Sequence, residues 1–469
     1  MAKYHSTISR RDFLKILGLG GVGLGAAAVS APVFHDLDEL MASPQAQWKR
    51  PFWVKEVDKP TVEIDWGMIP RWDPVHMMWG AGLREALGQK KFEWIFKLKA
   101  ANEARWRNEN KPGYTLRDFA LGSCDYSPPV SFLGPRTSPT PESLGIPRWE
   151  GTPEENARMV RAFMRLHGAA QVGFVELDTN TEKLIYSHNP AFPDQTLQGP
   201  RLDILDVDEP VDAPADPAKG AGGYQVIPKK ARWVIVYTLR MSHELMRRAP
   251  SKISSREHGY MYDLRCLLSN QLQNFLRTLG YMCLAGANRY ACIGTCTGFA
   301  VMAGLGETCR ISHTITPEHG LMQRVFLAVT DLPLAPGKPV DFGVMNFCRT
   351  CKKCADFCPA RAIPHDTEPS WEIRGFYQTQ GHRAWHRDEP RCLSYIWETG
   401  GACAICFAVC PYSKAYKAAY HDVVRTISST TPVLNRFFRK MDDFLGYGLM
   451  SGEDIEKFWE LDLPPFGWE

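Results

Sequence analysis

From residue 152 onward the hydrophobic positions follow regular periods. Thr152-Pro153-Glu154-Glu155 opens a helix as a capping box with Pro at the first helical position. Ala157, Val160, Phe163 and Met164 then continue one apolar face. Residues 171–176 form a short apolar run, and residues 232–239 a longer one rich in β-branched side chains, as buried strands are. Between them, residues 178–228 are rich in Pro and Asp and keep no period, so they read as a loop-like insertion. A long helix is expected over 254–279, stopped at Gly280, with another apolar run over 281–284. Earlier, Phe92, Ile95 and Phe96 predict a helix over 92–106, while residues 127–147 are turn-rich. Strand, helix and strand in alternation predict an α/β or α+β core. No G-x-G-x-x-G follows a strand, which leaves a nicotinamide-binding unit unsupported.

The first residues have a different character. Ser9-Arg10-Arg11-Asp12-Phe13-Leu14-Lys15 precedes a weakly apolar, Gly/Ala-rich run over 16–29. The run is short for a bilayer span, and Ala28, Ala31 and Ala42 offer cleavage sites. Residues 1–43 are therefore expected to be a twin-arginine signal peptide. Residues 44–152, rich in Pro, Trp and charge, are expected to wrap the core without chemistry of their own. No later run is apolar for long enough to cross a membrane. Lys and Arg total 55 against 52 Asp and Glu, so no basic field favours nucleic acid.

Cysteine adds the strongest signal. Cys348, Cys351, Cys354 and Cys358-Pro359 follow C-x2-C-x2-C-x3-C-P, and Cys392, Cys403, Cys406 and Cys410-Pro411 form a second half. That spacing wraps cubane iron–sulfur clusters, with the Cys before Pro crossing to the other cube. The rule puts Cys348, Cys351, Cys354 and Cys410 on one 4Fe–4S cluster, and Cys392, Cys403, Cys406 and Cys358 on the second. A zinc ribbon would show two C-x2-C pairs without C-x3-C-P. Disulfides would leave the regular spacing without a purpose. A twin-arginine exporter carries folded, loaded protein, so fourteen Cys in an exported chain need not be bridged. Cys124, Cys266, Cys283, Cys292, Cys296 and Cys309 remain; they read as inert buried thiols, with a Cys292–Cys296 redox pair as the sharper alternative. His382 and His386 lie between the cluster halves, as polar residues or as metal ligands. The aromatic tail over 437–459 is expected to pack back on the core.

The leader, Ala303-Gly304-Leu305-Gly306-Glu307, Thr330-Asp331-Leu332-Pro333-Leu334-Ala335-Pro336, Asp341-Phe342-Gly343-Val344 and the double cluster motif together resemble a respiratory reductive dehalogenase. The resemblance covers the leader and roughly residue 153 to the end. It implies an α+β fold: a nitroreductase-like corrinoid-binding α/β core over 153–341, a ferredoxin-like module with two 4Fe–4S clusters over 342–415, and a C-terminal extension over 416–469. It implies a cobalamin-type corrinoid held base-off, and no D-x-H-x-x-G occurs; Asp73-Pro74-Val75-His76 is nearest, with the wrong spacing. It places a catalytic Tyr at Tyr262, with Tyr260 competing, an Asn at Asn288 and an Arg at Arg324. Gly304, Gly306 and Arg310 are its candidate corrinoid contacts. The implied partners are a small organohalide, leaning to chlorinated ethenes, an electron donor of a respiratory chain, and a small integral membrane anchor at the outer face of the cytoplasmic membrane. An epoxyqueuosine-reductase-like enzyme and a ferredoxin-type electron-transfer subunit are the alternatives.

Replacing halogen by hydrogen takes two electrons and one proton. A corrinoid carries the hard reductive step, and clusters recharge it one electron at a time. An ordinary phenol titrates near ~10, and a neighbouring guanidinium favours its anion. Hence the expected roles: Tyr262 as acid, Arg324 as its tuner and anion anchor, Asn288 as a positioner.

Overall fold

The computed structural model describes residues 50–79, 81–190, 199–213, 223–400, 403–414, 419–446 and 448–468. The leader expected over residues 1–43 lies outside them. In chain order the elements that matter are β1 (Lys55–Glu56), α1 (Gln89–Asn108), α2 (Pro153–Leu166), β2 (Ala169–Glu176), β3 (Arg201–Leu205), β4 (Val211–Ala213), β5 (Tyr224–Pro228) and β6 (Trp233–Arg240). There follow α3 (Lys252–Leu279), β7 (Cys283–Ala285), α4 (Cys296–Met302), β8 (Gln323–Thr330), β9 (Val340–Asp341), α5 (Val344–Cys351), α6 (Glu389–Glu398), α7 (Ala419–Thr430) and α8 (Asn435–Phe444).

The core is a four-stranded antiparallel sheet in the order β2-β6-β8-β7. Val234, Ile235 and Val236 in the central strand β6 are buried on both faces, which explains its unbroken apolar run. Each such side chain contributes about 1.5–3 kcal/mol on burial. The helix α2 starts as its sequence dictates: Thr152 Oγ1 accepts from Glu155 N at 3.2 Å and Glu155 Oε2 accepts from Thr152 N at 2.9 Å. The long helix α3 is capped by Ser251 and ends at Gly280, whose φ of 90° is open to glycine at little cost.

Residues 178–228, expected to be loop-like, contain regular strands. They carry β3, β5 and β4 as a second sheet, β3 parallel and β4 antiparallel to β5. Each strand is too short for its alternation to stand out beside the Pro and Asp around it, yet Leu202 and Ile227 reach the main core. Residues before 152 do wrap. The strand β1 pairs with β9, Ile64 bridges to His382, and Arg71 donates to the carbonyls of Ile185, Tyr186 and Leu202. The helix α1 lies on α6 through Phe96 and Trp397, whose rings are 4.8 Å apart. The tail returns to the body: Phe438 of α8 is buried, Asp442 and Asp443 pair with Lys353, and Trp459 Nε1 donates to Asp118 at 2.9 Å. Among the described residues no helix is long and apolar enough to cross a membrane.

Candidate active site and cluster module

A cavity of about 460 Å³, ligand-sized, lies where all these parts meet. The helix α3 contributes Tyr262, β8 contributes Arg324 and Phe326, the loop into α4 contributes Tyr290 and Cys292, and α4 opens with Cys296. Val62, Trp66, Trp72 and Met77 close it from the N-terminal region, and Lys183, Leu184 and Tyr186 from the supposed insertion. Residues of the 44–152 region thus form one wall of the cavity. These side chains reach the cavity from turns and irregular backbone, so no period marked them.

Tyr262 and Arg324, far apart in sequence, are brought together. Arg324 Nη1 donates to the Tyr262 hydroxyl at 3.0 Å, and the guanidinium carbon stands 4.9 Å from the ring centre. The Tyr262 ring is packed edge-on against Tyr290 at 4.9 Å and Phe326 at 6.2 Å. Tyr260, the competing choice, is not among the cavity residues; its ring stacks on Phe466 and lies beside Arg256. Asn288 is buried and also off the cavity wall. Its side-chain oxygen accepts from Tyr290 N at 2.7 Å, which fixes the turn that presents Tyr290 to Tyr262. Arg324 Nη2 meets His258 Nδ1 at 2.9 Å, a partner the sequence reading missed. His258 stands one helical turn before Tyr262 on α3, the only signal that could have found it.

The eight expected cluster cysteines influence one another electrostatically. Cys348, Cys351 and Cys354 are pushed up by burial first and by neighbouring thiols next, with Cys410 acting on all three. Cys392, Cys403 and Cys406 are likewise pushed up by burial first, with Glu389 next for Cys392 and neighbouring thiols next for the other two, and Cys358 acts on all three. Bound iron would reverse that push, because a coordinating thiol is deprotonated outright. Phe407, directly after Cys406, is itself a cavity wall and meets the His313 ring edge-on at 5.3 Å. His382 also lines the cavity, and burial pushes it down to about 4.

Comparison with known proteins decides the family. Residues 49–334 match the family model described as a reductive dehalogenase subunit, and residues 347–413 match a 4Fe–4S double cluster binding domain. The chain belongs to the reductive dehalogenase family, whose members are oxidoreductases. It is 29% identical to the chloroethene reductive dehalogenase of Dehalococcoides mccartyi (strain VS), covering 100% of this chain and 99% of the relative. It is 33% identical to the tetrachloroethene reductive dehalogenase of Sulfurospirillum multivorans, over 67% of this chain and 61% of that one. A solved structure of the catabolic reductive dehalogenase NpRdhA, in complex with 3-bromo-4-hydroxybenzoic acid, superposes with a TM-score of 0.59 at 21% identity. It covers 84% of this chain, which spans about half (49%) of that one; at this identity the likeness speaks for the fold.

Within this dehalogenase fold three expected corrinoid contacts stand elsewhere. A Cβ on Gly304 would come 2.0 Å from the Lys338 carbonyl oxygen, and one on Gly306 2.0 Å from that of Ile315. Both glycines allow a close backbone approach. Arg310 is fully buried and donates to the carbonyls of Cys348, Pro364 and Asp366, with Trp385 beneath it at 4.4 Å. It clamps the cluster module to the core. Of the remaining Cys, Cys266, Cys283 and Cys309 are buried as expected, whereas Cys124 is exposed. Cys292 and Cys296 line the cavity, and the Cys296 hydrogen bond holds the Cys292 thiol below its usual range.

Proposed function

We propose that the chain reductively dehalogenates small apolar organohalides, leaning to chlorinated ethenes, with a base-off corrinoid in the cavity and electrons delivered through the two clusters. One observation carries this: Tyr262, Arg324 and Phe407, the neighbour of a cluster ligand, share one cavity. The relatives named for chloroethene and tetrachloroethene support the substrate lean.

The cavity suits a corrinoid, a broad apolar ring fringed with amides. Its walls are largely aromatic and aliphatic. Five of its residues also carry a buried side-chain atom with no hydrogen-bond partner: Thr295 Oγ1, His313 Nδ1, Thr314 Oγ1, Gln323 Oε1 and Arg324 Nε. Such atoms cost free energy unless something pairs with them, and amide groups would. A corrinoid bound there would supply the two-electron reduction of the carbon–halogen bond. The protein's own residues do the rest. Tyr262 accepts a hydrogen bond from Arg324 and so keeps its own proton available for the carbon that loses halide. Arg324 stabilises the phenolate left behind and offers a positive charge to the departing anion. Trp66, Trp72 and Tyr186 exclude water from the site.

Anaerobic reconstitution with cobalamin, followed by a panel of haloalkenes, haloalkanes and haloarenes, tests the reading. Chloride release from chlorinated ethenes is expected. Turnover of an epoxyqueuosine-modified transfer RNA with no halide release would replace it with the alternative enzyme class. A chain that carries clusters but takes up no corrinoid would point to an electron-transfer subunit.

The twin-arginine leader supports export of the loaded protein, and peripheral attachment through a small membrane anchor fed by a respiratory donor completes the proposal. Changing Arg10 and Arg11 to Lys is expected to hold loaded protein in the cytoplasm. Fractionation that finds this variant exported at the normal level would refute the route.

A further inference from the structure

Arg324 is held in an unusual way for a half-buried arginine. Among the described residues no carboxylate pairs with it; its contacts are a phenol and an imidazole. An arginine only donates, so the His258 nitrogen it meets, Nδ1, must be the acceptor. The ring proton therefore sits on Nε2, and the imidazole is neutral. Burial, with Arg324 beside it, keeps His258 well below its ordinary range, which is consistent with that state. Nε2 itself is buried and has no partner. The neighbouring acid, Glu257, makes no ion pair with Arg324: its carboxylate accepts from Ser242 N at 2.7 Å, and burial pushes it up to about 8 against the weaker opposing pull of that hydrogen bond, Arg256 and Arg324.

The geometry follows from the elements. His258 and Tyr262 are four residues apart on α3, so they share one face of the helix. Arg324 rises from β8, where it pairs across the sheet with Leu239. Its two terminal nitrogens therefore span one turn of α3, one nitrogen on each ring, at 3.0 and 2.9 Å. The planar fork cannot turn without breaking one contact or the other.

We propose that His258 is a positioning residue: as a neutral acceptor it fixes the Arg324 fork so that Nη1 is directed at the Tyr262 hydroxyl, and it does so without cancelling the guanidinium charge. A carboxylate in its place would also accept, but would draw both terminal nitrogens to itself and neutralise the charge meant for the phenolate and the departing halide. A neutral ring accepts one N–H and adds no charge. The inference rests on the reading of Tyr262 as proton donor, and it adds the residue that sets the donor's partner.

Three substitutions separate the possibilities. His258→Leu removes the acceptor, His258→Asn places a neutral amide oxygen near the position of Nδ1, and His258→Asp supplies an acceptor with charge. Iron and corrinoid contents and the melting temperature verify that each variant is assembled. His258→Leu and His258→Asp are expected to lower kcat about a hundredfold, as a small misplacement of a catalytic group does, with little change in KM. His258→Asn is expected to recover most of that loss. A second readout does not depend on turnover: fluorotyrosine in place of Tyr262, observed by fluorine NMR with the clusters in their diamagnetic oxidised state. Its signal is expected to move in His258→Leu and to stay near its original place in His258→Asn. The proposal is overturned if His258→Leu leaves the signal unmoved, if it keeps full kcat, or if the Asn variant fares no better than the Leu variant. Should His258→Asp match His258→Asn, the requirement for a neutral partner is wrong. If Tyr262→Phe itself turns over normally, the underlying reading fails, while the fluorine signal still reports whether His258 holds Arg324.

Discussion

Tyr262→Phe is expected to keep the corrinoid and both clusters while halide release falls by about 10²–10⁴-fold, the usual worth of a general acid. The substitution retains the ring and therefore its edge-on contacts with Tyr290 and Phe326. Only the hydroxyl is lost, and with it the proton and the acceptor for Arg324. The effect should appear in kcat under saturating substrate, with the corrinoid spectrum unchanged. Tyr260→Phe is the control, since that side chain stacks on Phe466 away from the cavity. Arg324→Lys should also be impaired: an ammonium keeps the charge but cannot span Tyr262 and His258 as the fork does. Wild-type turnover in Tyr262→Phe would mean that the proton comes from water or another group.

The sequence disclosed those parts of the molecule that obey a period or a ligand spacing. The helix α2, the strand β6 and the helix α3 were legible because one face or the whole run is apolar, and because Thr152 and Gly280 are unambiguous end signals. The cluster cysteines were legible because a cube demands thiolates at fixed intervals. The cavity walls were not. Trp66, Trp72 and Met77 reach the site from irregular backbone, and Lys183, Leu184 and Tyr186 from the edge of a region whose short strands are masked by Pro and Asp. Gly304 and Gly306 stand against the carbonyls of Lys338 and Ile315, and a glycine kept for close approach to a ligand and one kept for close approach to a carbonyl look alike in sequence. Arg310 came from the resemblance as a corrinoid contact, and here its donors are taken up by three carbonyls. His258 was missed because its role exists only once β8 is laid against α3.

Cys358→Ala is expected to remove the cluster held mainly by the downstream cysteines and to abolish turnover. The Cys belongs by sequence to the upstream motif, so a reading without crossing would predict damage to the upstream cluster instead. The charge neighbourhood of the thiols is consistent with the crossing. Cys358 acts electrostatically on Cys392, Cys403 and Cys406, whereas Cys348, Cys351 and Cys354 are served by Cys410. Alanine deletes the fourth thiolate of the downstream set and leaves the upstream set complete. The module should hold its fold through Arg310 on the Cys348 carbonyl and through Lys353 with Asp442 and Asp443. Iron analysis should fall from two clusters to one, and the spectrum of the reduced protein should lose the interaction between paired clusters. Phe407 puts the downstream set beside the cavity, so its loss interrupts electron delivery at the last step. The bound corrinoid should then remain reducible by a strong chemical reductant while physiological electron transfer stops. Retention of the downstream cluster, with loss confined to the upstream one, would show that Cys358 and Cys410 do not exchange places.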